Sequence, residues 1–294
     1  MKIAIVTGAA GFTSLNLVEA LLAAGYFVYA VVRPGSAHNK RIQTGPQLSM
    51  VEADLGDLAA LPEKIAEKCD VFFHLAWQGD RDDFAVQYGN VDASLMALEI
   101  AASLGCRRFI CTGSQAEYGL QQGAVTEETL PMPVNAYGAA KLAACYLTKR
   151  RAEQLGVEWI WGRIFSIYGK YEPATTLISY LVASLRRGES PKLTAATQNW
   201  DYLYSEDAAD ALLALAAAGQ RGEIYNIANG NYRPLREFTE EVRAHFAPQV
   251  AIHYGEEARQ IVSLQPVVEK IHQDTGWRAK TLFMEGLLKA VAMA

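Results

Sequence analysis

The residues with the clearest capacity for chemistry are Tyr137 and Lys141, which lie four positions apart. A proline-containing turn precedes them, and a helix is predicted to begin near Tyr137. Side chains four positions apart share one face of a helix, so the ammonium group would lie beside the phenol. A neighbouring positive charge lowers the pKa of a phenol and lets it act as an acid or base near neutral pH. This spacing also arises by chance, but in combination with the motifs below it predicts a proton-transfer site.

A buried strand must deliver a third candidate, Ser114, to the same place. The apolar run Arg107–Thr112 predicts this strand, and Ser114 follows almost directly at its carboxyl end. In parallel α/β sheets, ligands bind at the carboxyl ends of the strands. We therefore expect the hydroxyl of Ser114 to join the phenol and the ammonium group.

A glycine-rich turn near the start of the sequence predicts a phosphate site. Residues 3–6 are an apolar run typical of a buried strand, Gly8 and Gly11 follow it, and residues 12–24 have the apolar spacing of a helix. Backbone N–H groups and the positive helix end would then face one point, where an anion binds. Ser14 replaces the third glycine of the usual dinucleotide-binding pattern and is small enough to keep helix and strand close.

The end of the next predicted strand, residues 26–32, indicates which dinucleotide would bind. In such units an acidic residue at this place binds the 2′-hydroxyl of NAD, whereas an arginine suits the extra phosphate of NADP. The sequence has Arg33 there, with Lys40 and Arg41 nearby and no acidic residue at the strand end. NADP(H) is therefore the preferred cofactor and NAD(H) the alternative. The alternative interpretation of Arg33 is a solvated charge in a loop.

Strands and helices alternate through the first half of the sequence. Further buried strands are predicted at 48–53 and 71–75, and a helix with one apolar face at 90–104. This alternation predicts an α/β fold with a doubly wound parallel sheet. His74 lies inside an apolar strand and is expected to be a hydrogen-bonded core residue. Asp54 would face the adenine or cap a turn.

The composition limits the possible functions. The chain has 294 residues, of which 51% are hydrophobic, enough for one large α/β unit or two lobes. A net charge of −5 without a basic block argues against nucleic-acid binding. The apolar stretches are too short for a membrane span, and no signal peptide is predicted. Because the four cysteines lack paired spacing and the five histidines lack metal-ligand spacing, we expect free buried thiols, no metal and a cytoplasmic location.

Several motifs together resemble the extended short-chain dehydrogenase/reductase family, which includes nucleotide-sugar epimerases, dehydratases and 4-ketoreductases. They are TGAAGF at 7–12, Asp54, HLA at 74–76, Asn90, GSQAEYG at 113–119 and YGAAK at 137–141. The resemblance covers nearly the whole chain. It implies a dinucleotide-binding Rossmann domain at 1–167 and a smaller, mainly substrate-binding lobe at 168–294, with segments near 200–228 returning to the first domain. Ser114, Tyr137 and Lys141 would then be the catalytic residues.

The resemblance also implies which residues surround the ligands. Those for the cofactor are Gly8, Gly11, Phe12, Thr13, Arg33, Asp54, Leu55, Leu75, Ala76, Asn90, Tyr137, Lys141, Phe165 and Ser166. Those for the substrate are Gln115, Arg163, Leu177, Trp200, Arg233 and Arg259. Trp200 stands where the family often has an arginine for the substrate pyrophosphate. One of the three arginines would take that role, or the substrate is not the usual one.

The residues after Ser114 bear on the reaction. Dehydratases of the family carry Asp-Glu there, whereas this chain has Gln115 and Ala116, neither of which can ionise. The resemblance then implies either reduction of a nucleotide 4-keto-6-deoxyhexose, which Arg33 favours, or 4-epimerisation of a nucleotide sugar such as UDP-glucose with retained NAD. A non-catalytic dinucleotide-binding redox sensor is a minor alternative. Such proteins commonly lose the tyrosine or the lysine, whereas this chain retains both Tyr137 and Lys141. A homodimer is expected, paired through the helices near 90–104 and 137–155.

Overall fold

The computed structural model describes residues 1–65, 67–256 and 262–292. Its strands are β1 (Ile3–Thr7), β2 (Phe27–Val32), β3 (Leu48–Glu52), β4 (Val71–His74), β5 (Arg108–Ser114), β6 (Glu158–Ile164), β7 (Ser166–Tyr168), β8 (Lys192–Leu193), β9 (Asn199–Trp200), β10 (Tyr202–Tyr204), β11 (Glu223–Ile227), β12 (Arg233–Pro234) and β13 (His253–Tyr254). Its α-helices are α1 (Phe12–Ala23), α2 (Leu61–Lys64), α3 (Phe84–Ser103), α4 (Ala136–Leu155), α5 (Leu177–Arg186), α6 (Ser205–Ala218), α7 (Leu235–Phe246), α8 (Glu269–Thr275) and α9 (Phe283–Ala292). Short 3-10 helices lie at Ala37–Arg41, Leu55–Ala60 and Gln115–Glu117.

The central sheet is parallel, with the strand order β11-β6-β5-β4-β1-β2-β3. The order reverses between β1 and β4, so the loops after these two strands diverge. Such a reversal leaves a crevice at the carboxyl ends of the strands, where ligands bind. The expected doubly wound Rossmann fold is confirmed.

Helices cover both faces of this sheet, which explains why its strands are almost continuously apolar. Successive residues of β1 point to opposite faces. Ala4 and Val6 pack in the cluster formed with α1 and α6, whereas Ile5 packs in the cluster formed with α3 and α4. The sheet is thus fixed from both sides, and the positions of its carboxyl ends are fixed with it.

A second core lies in the C-terminal part of the chain, where α5, α7 and α9 pack around Leu181, Phe238 and Leu287. Strand β10 pairs in parallel with β7 outside the central sheet. The chain then returns, because α6 packs against α1 and β11 extends the central sheet beside β6. Residues 205–227 therefore pack with the layers of the central sheet.

Two elements near the crevice differ from the sequence-based expectation. Helix α3 begins at Phe84, six positions before the expected start, because the Asp83 side chain caps it by accepting a hydrogen bond from the backbone N–H of Val86 at 3.1 Å. Strand β5 continues through Ser114 and so includes the predicted catalytic serine.

The four cysteines are free and buried, as expected. Across the described ranges, no helix combines the length and the apolar character that a membrane crossing requires.

Candidate active site

The three predicted catalytic side chains meet in one cleft at the carboxyl edge of the sheet. Ser114 ends β5, whereas Tyr137 and Lys141 lie on the first turns of α4. They line a cavity of about 490 Å³. Other predicted site residues that line this cavity are Phe12, Thr13, Leu75, Gln115, Phe165, Ser166, Leu177 and Trp200.

A capped helix start fixes Tyr137. The Asn135 side chain accepts a hydrogen bond from the backbone N–H of Gly138 at 2.8 Å and so satisfies a donor that the first helical turn leaves unpaired. The backbone N–H of Tyr137 donates to the carbonyl oxygen of Arg81 at 2.8 Å. The guanidinium carbon of Arg81 lies 4.9 Å from the centre of the Tyr137 ring. The loop after β4 therefore holds both the backbone and the ring of this tyrosine.

Close main-chain packing sets the distance between α4 and the end of β5. A Cβ atom on Gly138 would lie only 2.4 Å from the carbonyl oxygen of Ala116. Only glycine permits this approach, so α4 lies directly against the turn that follows Ser114.

Lys141 is buried in the wall of the cleft. Its Nζ donates to the carbonyl oxygen of Thr112 at 2.7 Å and lies 3.7 Å from the centre of the Trp77 ring. The lysine and the tyrosine line the same cavity. The arrangement thus combines a phenol, an ammonium group and a hydroxyl.

The turn that carries Ser114 is hydrogen-bonded to the buried carboxylate of Glu117. The Ser114 Oγ accepts a hydrogen bond from the backbone N–H of Ala116 at 3.2 Å, and the Ser114 backbone N–H donates to Oε1 of Glu117 at 2.8 Å. Trp161 Nε1 and Arg163 Nε also donate to the Glu117 carboxylate, at 3.0 and 2.7 Å. Burial by itself lowers the pKa of Arg163, but the neighbouring Glu117 and Tyr118 outweigh this and the pKa is raised overall, so the guanidinium group stays charged.

The structure does not bring two of the three predicted substrate arginines, Arg163 and Arg233, into the cleft. Arg163 is 1% exposed and is held by Glu117, so it belongs to the interior and the expected phosphate contact is wrong for this residue. Arg233 lies next to Trp200 through the pairing of β9 with β12, but its guanidinium group is paired with Glu241. Arg259 lies outside the described residues.

The glycine-rich turn forms a cradle suited to a dinucleotide. Gly8 has φ of +67°, and a Cβ there would lie 2.9 Å from Cα of Ala76. The first turn of α1 receives no side-chain cap from Gly11, so its N–H groups are available to an anion. A cavity of about 240 Å³ begins here, and its lining includes the predicted cofactor residues Gly8, Gly11, Arg33, Leu55 and Ala76. Main-chain donors and the shape of the groove therefore fit the pyrophosphate and adenosine of the cofactor.

Two predicted cofactor residues act on the groove indirectly. The amide of buried Asn90 makes two hydrogen bonds with the backbone of Gln78, at 3.1 Å to N and 2.9 Å to O, and so fixes the loop after β4. The Asp54 carboxylate accepts from the backbone N–H of Gly56 at 3.0 Å, so the structure realises its turn-capping alternative.

His74 is a core residue, as expected. Its Nδ1 lies 2.9 Å from Thr7 Oγ1, and its Nε2 lies 3.3 Å from Ser94 Oγ. Burial, followed by the charge of Lys141, lowers the pKa of His74 to about 3, so the ring stays neutral.

The residues of the catalytic cavity that sequence reasoning missed include Trp77, Arg81 and Glu172. Trp77 directly follows the HLA motif, and so large a side chain at that position could have been identified from the sequence as part of the site. Arg81 and Glu172 lie in loops whose position only the fold reveals. Burial raises the pKa of Glu172, and the backbone N–H of Gly169 lies 3.3 Å from its Oε2.

The sequence profile of the NAD dependent epimerase/dehydratase family matches residues 4–228. The chain belongs to this family. One relative, the UDP-glucose 4-epimerase of Mycolicibacterium smegmatis, is 27% identical over 98% of this chain and 96% of its own length. Another, the dTDP-D-glucose 4,6-dehydratase of Mus musculus, is 24% identical over 99% of this chain and 88% of its own length.

The fold of the family is also seen in a solved UDP-glucose 4-epimerase of Thermotoga maritima with UDP-glucose. It has a TM-score of 0.88 and 21% identity to this protein, and the match covers 99% of this chain and 98% of that one. Membership in the family identifies the protein as an enzyme of the epimerase/dehydratase type that depends on a nicotinamide dinucleotide.

Proposed function

We propose that this family member reduces the C4 carbonyl of a nucleotide 4-keto-6-deoxyhexose, with NADPH as the reductant. The observation that carries the proposal is the composition of the cleft. It contains the phenol, hydroxyl and ammonium group that carbonyl reduction needs, but the two positions after Ser114 have no ionisable side chain.

The residues of the cleft have complementary roles in this reaction. A bound reduced nicotinamide supplies the hydride that adds to C4. Tyr137 donates the proton to the carbonyl oxygen, and the Ser114 hydroxyl donates a hydrogen bond that stabilises the charge developing on that oxygen. The Lys141 ammonium group lines the same cavity and stabilises the phenolate left behind. Hydride plus proton converts the ketone to an alcohol, so the reaction is balanced.

Elimination of water would need further acid–base groups. Gln115 lines the cleft but cannot ionise, and Ala116 offers no functional group. The next residue, Glu117, is fully buried and ion-paired with Arg163, so it cannot exchange protons with a bound sugar. These features favour reduction or epimerisation over dehydration.

A second candidate function is 4-epimerisation with retained NAD, because the same three residues would oxidise and then reduce C4. The similarity to UDP-glucose 4-epimerases favours this alternative. The reductase is preferred because Arg33 and Ser36 line the adenosine end of the nucleotide cavity. None of the described residues that line this cavity is acidic, an arrangement that suits a 2′-phosphate.

Reduced-nicotinamide absorbance in the presence of a panel of nucleotide 4-keto-6-deoxysugars tests the proposal. The expected result is NADPH consumption matched mole for mole by new sugar alcohol. Interconversion of UDP-glucose and UDP-galactose without net consumption would replace the reductase by the epimerase. Cofactor binding without turnover of any of these sugars would favour a redox sensor.

We also propose that the protein is a homodimer formed through α3 and α4. Exposed apolar side chains lie on these two helices: Phe84, Tyr88, Met96, Tyr146 and Leu147. Ala139 and Ala143 are exposed beside them, whereas Ala140 and Ala144 face the interior. Light scattering should give twice the chain mass for the wild type and the chain mass for Tyr146→Glu. A monomeric wild type would overturn the proposal.

A further inference from the structure

We propose that Trp77 is a positioning residue that holds the Lys141 ammonium group in its working place through its aromatic face. The inference rests on the proposed function only in the role that it gives to Lys141.

Lys141 is a buried cation without a counter-ion. Its side chain is 3% exposed, and among the residues that the structure describes no carboxylate forms an ion pair with it. A buried charge is costly unless another group compensates for the lost water. One carbonyl bond, from Nζ to Thr112, is a partial compensation.

The aromatic face of Trp77 provides the remaining compensation for the water that the buried ammonium group has lost. The ammonium nitrogen lies 3.7 Å from the centre of its ring, well within the range at which the negative face of an indole attracts a cation. An ammonium group has three N–H donors, of which the Thr112 carbonyl takes one. The face of Trp77 and this carbonyl therefore fix Lys141 while leaving it donors for a ligand in the cavity.

The indole is itself firmly held. Its Nε1 donates to Oε1 of Gln87 at 2.8 Å, and the Gln87 side chain, 2% exposed, donates in turn to the carbonyl oxygen of Asp80 at 2.7 Å. The Trp77 ring also meets the Tyr137 ring edge-on, with 6.1 Å between centroids and an interplanar angle of 90°. One anchored side chain thus contacts both members of the tyrosine–lysine pair.

Trp77 also lies where the two cavities meet, because it lines both the nucleotide cavity and the catalytic cavity. A side chain held at this junction before any ligand arrives reduces the ordering that binding must otherwise provide. Loss of the aromatic face should therefore weaken cofactor binding as well as catalysis.

A double-mutant cycle tests the contact without any ligand. Trp77→Leu and Trp77→Phe both lose the hydrogen bond to Gln87, but only phenylalanine keeps an aromatic face. Each is combined with Lys141→Met, and urea unfolding is measured. Trp77→Leu should cost more stability in the wild type than in the Lys141→Met background, with a smaller difference for Trp77→Phe. Equal costs in the two backgrounds would overturn the proposal.

Cofactor affinity provides the second test. The dissociation constant of NADPH, measured by its own fluorescence without substrate, should rise about tenfold in Trp77→Leu and less than about threefold in Trp77→Phe. Equal values for the two variants would also overturn the proposal. Failure of wild-type protein to reduce any 4-keto sugar would instead refute the proposed function and leave these two binding and stability results unaffected.

Discussion

Arg163 and Glu117 form an ion pair directly behind the catalytic cleft, with 2.7 Å between Nε and Oε2 and almost complete burial of both side chains. The other oxygen of the carboxylate accepts from the backbone N–H of Ser114 at 2.8 Å. The pair therefore links β6 to the turn that carries the catalytic serine. The arginine that sequence reasoning assigned to the substrate supports the site from the inside.

Removing one charge of this pair should destabilise the fold strongly. Glu117→Gln leaves the Arg163 guanidinium buried without a counter-ion, which should lower the free energy of unfolding by about 3–5 kcal/mol. Urea unfolding measures the change. Glu99→Gln is the matched control, because it breaks an exposed pair with Arg151 and should cost much less stability. Equal losses in the two variants would contradict the structural role.

Tyr137→Phe should separate chemistry from binding. Loss of the phenolic proton should lower kcat by about 10²–10⁴-fold, because general acid catalysis contributes on that order. The NADPH dissociation constant should change only a few-fold, since the ring and its backbone contacts remain. Tyr146→Phe, on the same helix but exposed, should retain wild-type kcat. Substantial turnover by Tyr137→Phe would show that another group donates the proton.

Cofactor preference should depend on Arg33. Arg33→Ser removes the only basic side chain other than His38 among the described residues that line the nucleotide cavity. The ratio of kcat/KM for NADPH to that for NADH should fall about tenfold, as a charge-assisted contact to the 2′-phosphate is lost. Lys40→Ser is the control, because Lys40 is exposed on the same loop outside the cavity. An unchanged ratio in Arg33→Ser would favour NAD as the natural cofactor.

Buried His74 should make stability depend on pH. Its pKa falls from 6.5 to about 3 on folding, so between these values the unfolded chain binds a proton that the folded chain excludes. The stability that the neutral ring contributes is complete above pH 6.5 and is lost as the pH falls toward about 3, by up to about 1.4 kcal/mol per pH unit. The stability advantage of wild type over His74→Asn in urea should therefore shrink between about pH 7 and about pH 5. A constant difference would show that His74 titrates normally.

Local patterns were sufficient for much of the fold and the site. A strand that passes through glycines into a helix, and a tyrosine four positions before a lysine, are defined by neighbours in the chain. The sequence therefore predicted β2, β3 and β4 to within one residue at each end, and the helix that carries Tyr137.

Partner choice between distant segments could not be predicted in this way. Arg163 meets Glu117 only because β5 and β6 are adjacent in the sheet, and no local pattern distinguishes this arginine from one that reaches a substrate. Trp77 contacts Lys141 only because α4 packs beside the loop after β4. In both cases tertiary packing determines the role of the side chain.

The close approach of Gly138 to the carbonyl oxygen of Ala116 has an evolutionary consequence. The distance between the Tyr137 phenol and the Ser114 hydroxyl is set by this main-chain contact, which involves neither side chain. Residues around the mouth of the cleft, such as Gln115, can therefore be replaced during evolution, and the substrate changed, without altering that separation. Position 138 should tolerate no such replacement, because a side chain there would push α4, which carries Tyr137, away from the turn that follows Ser114.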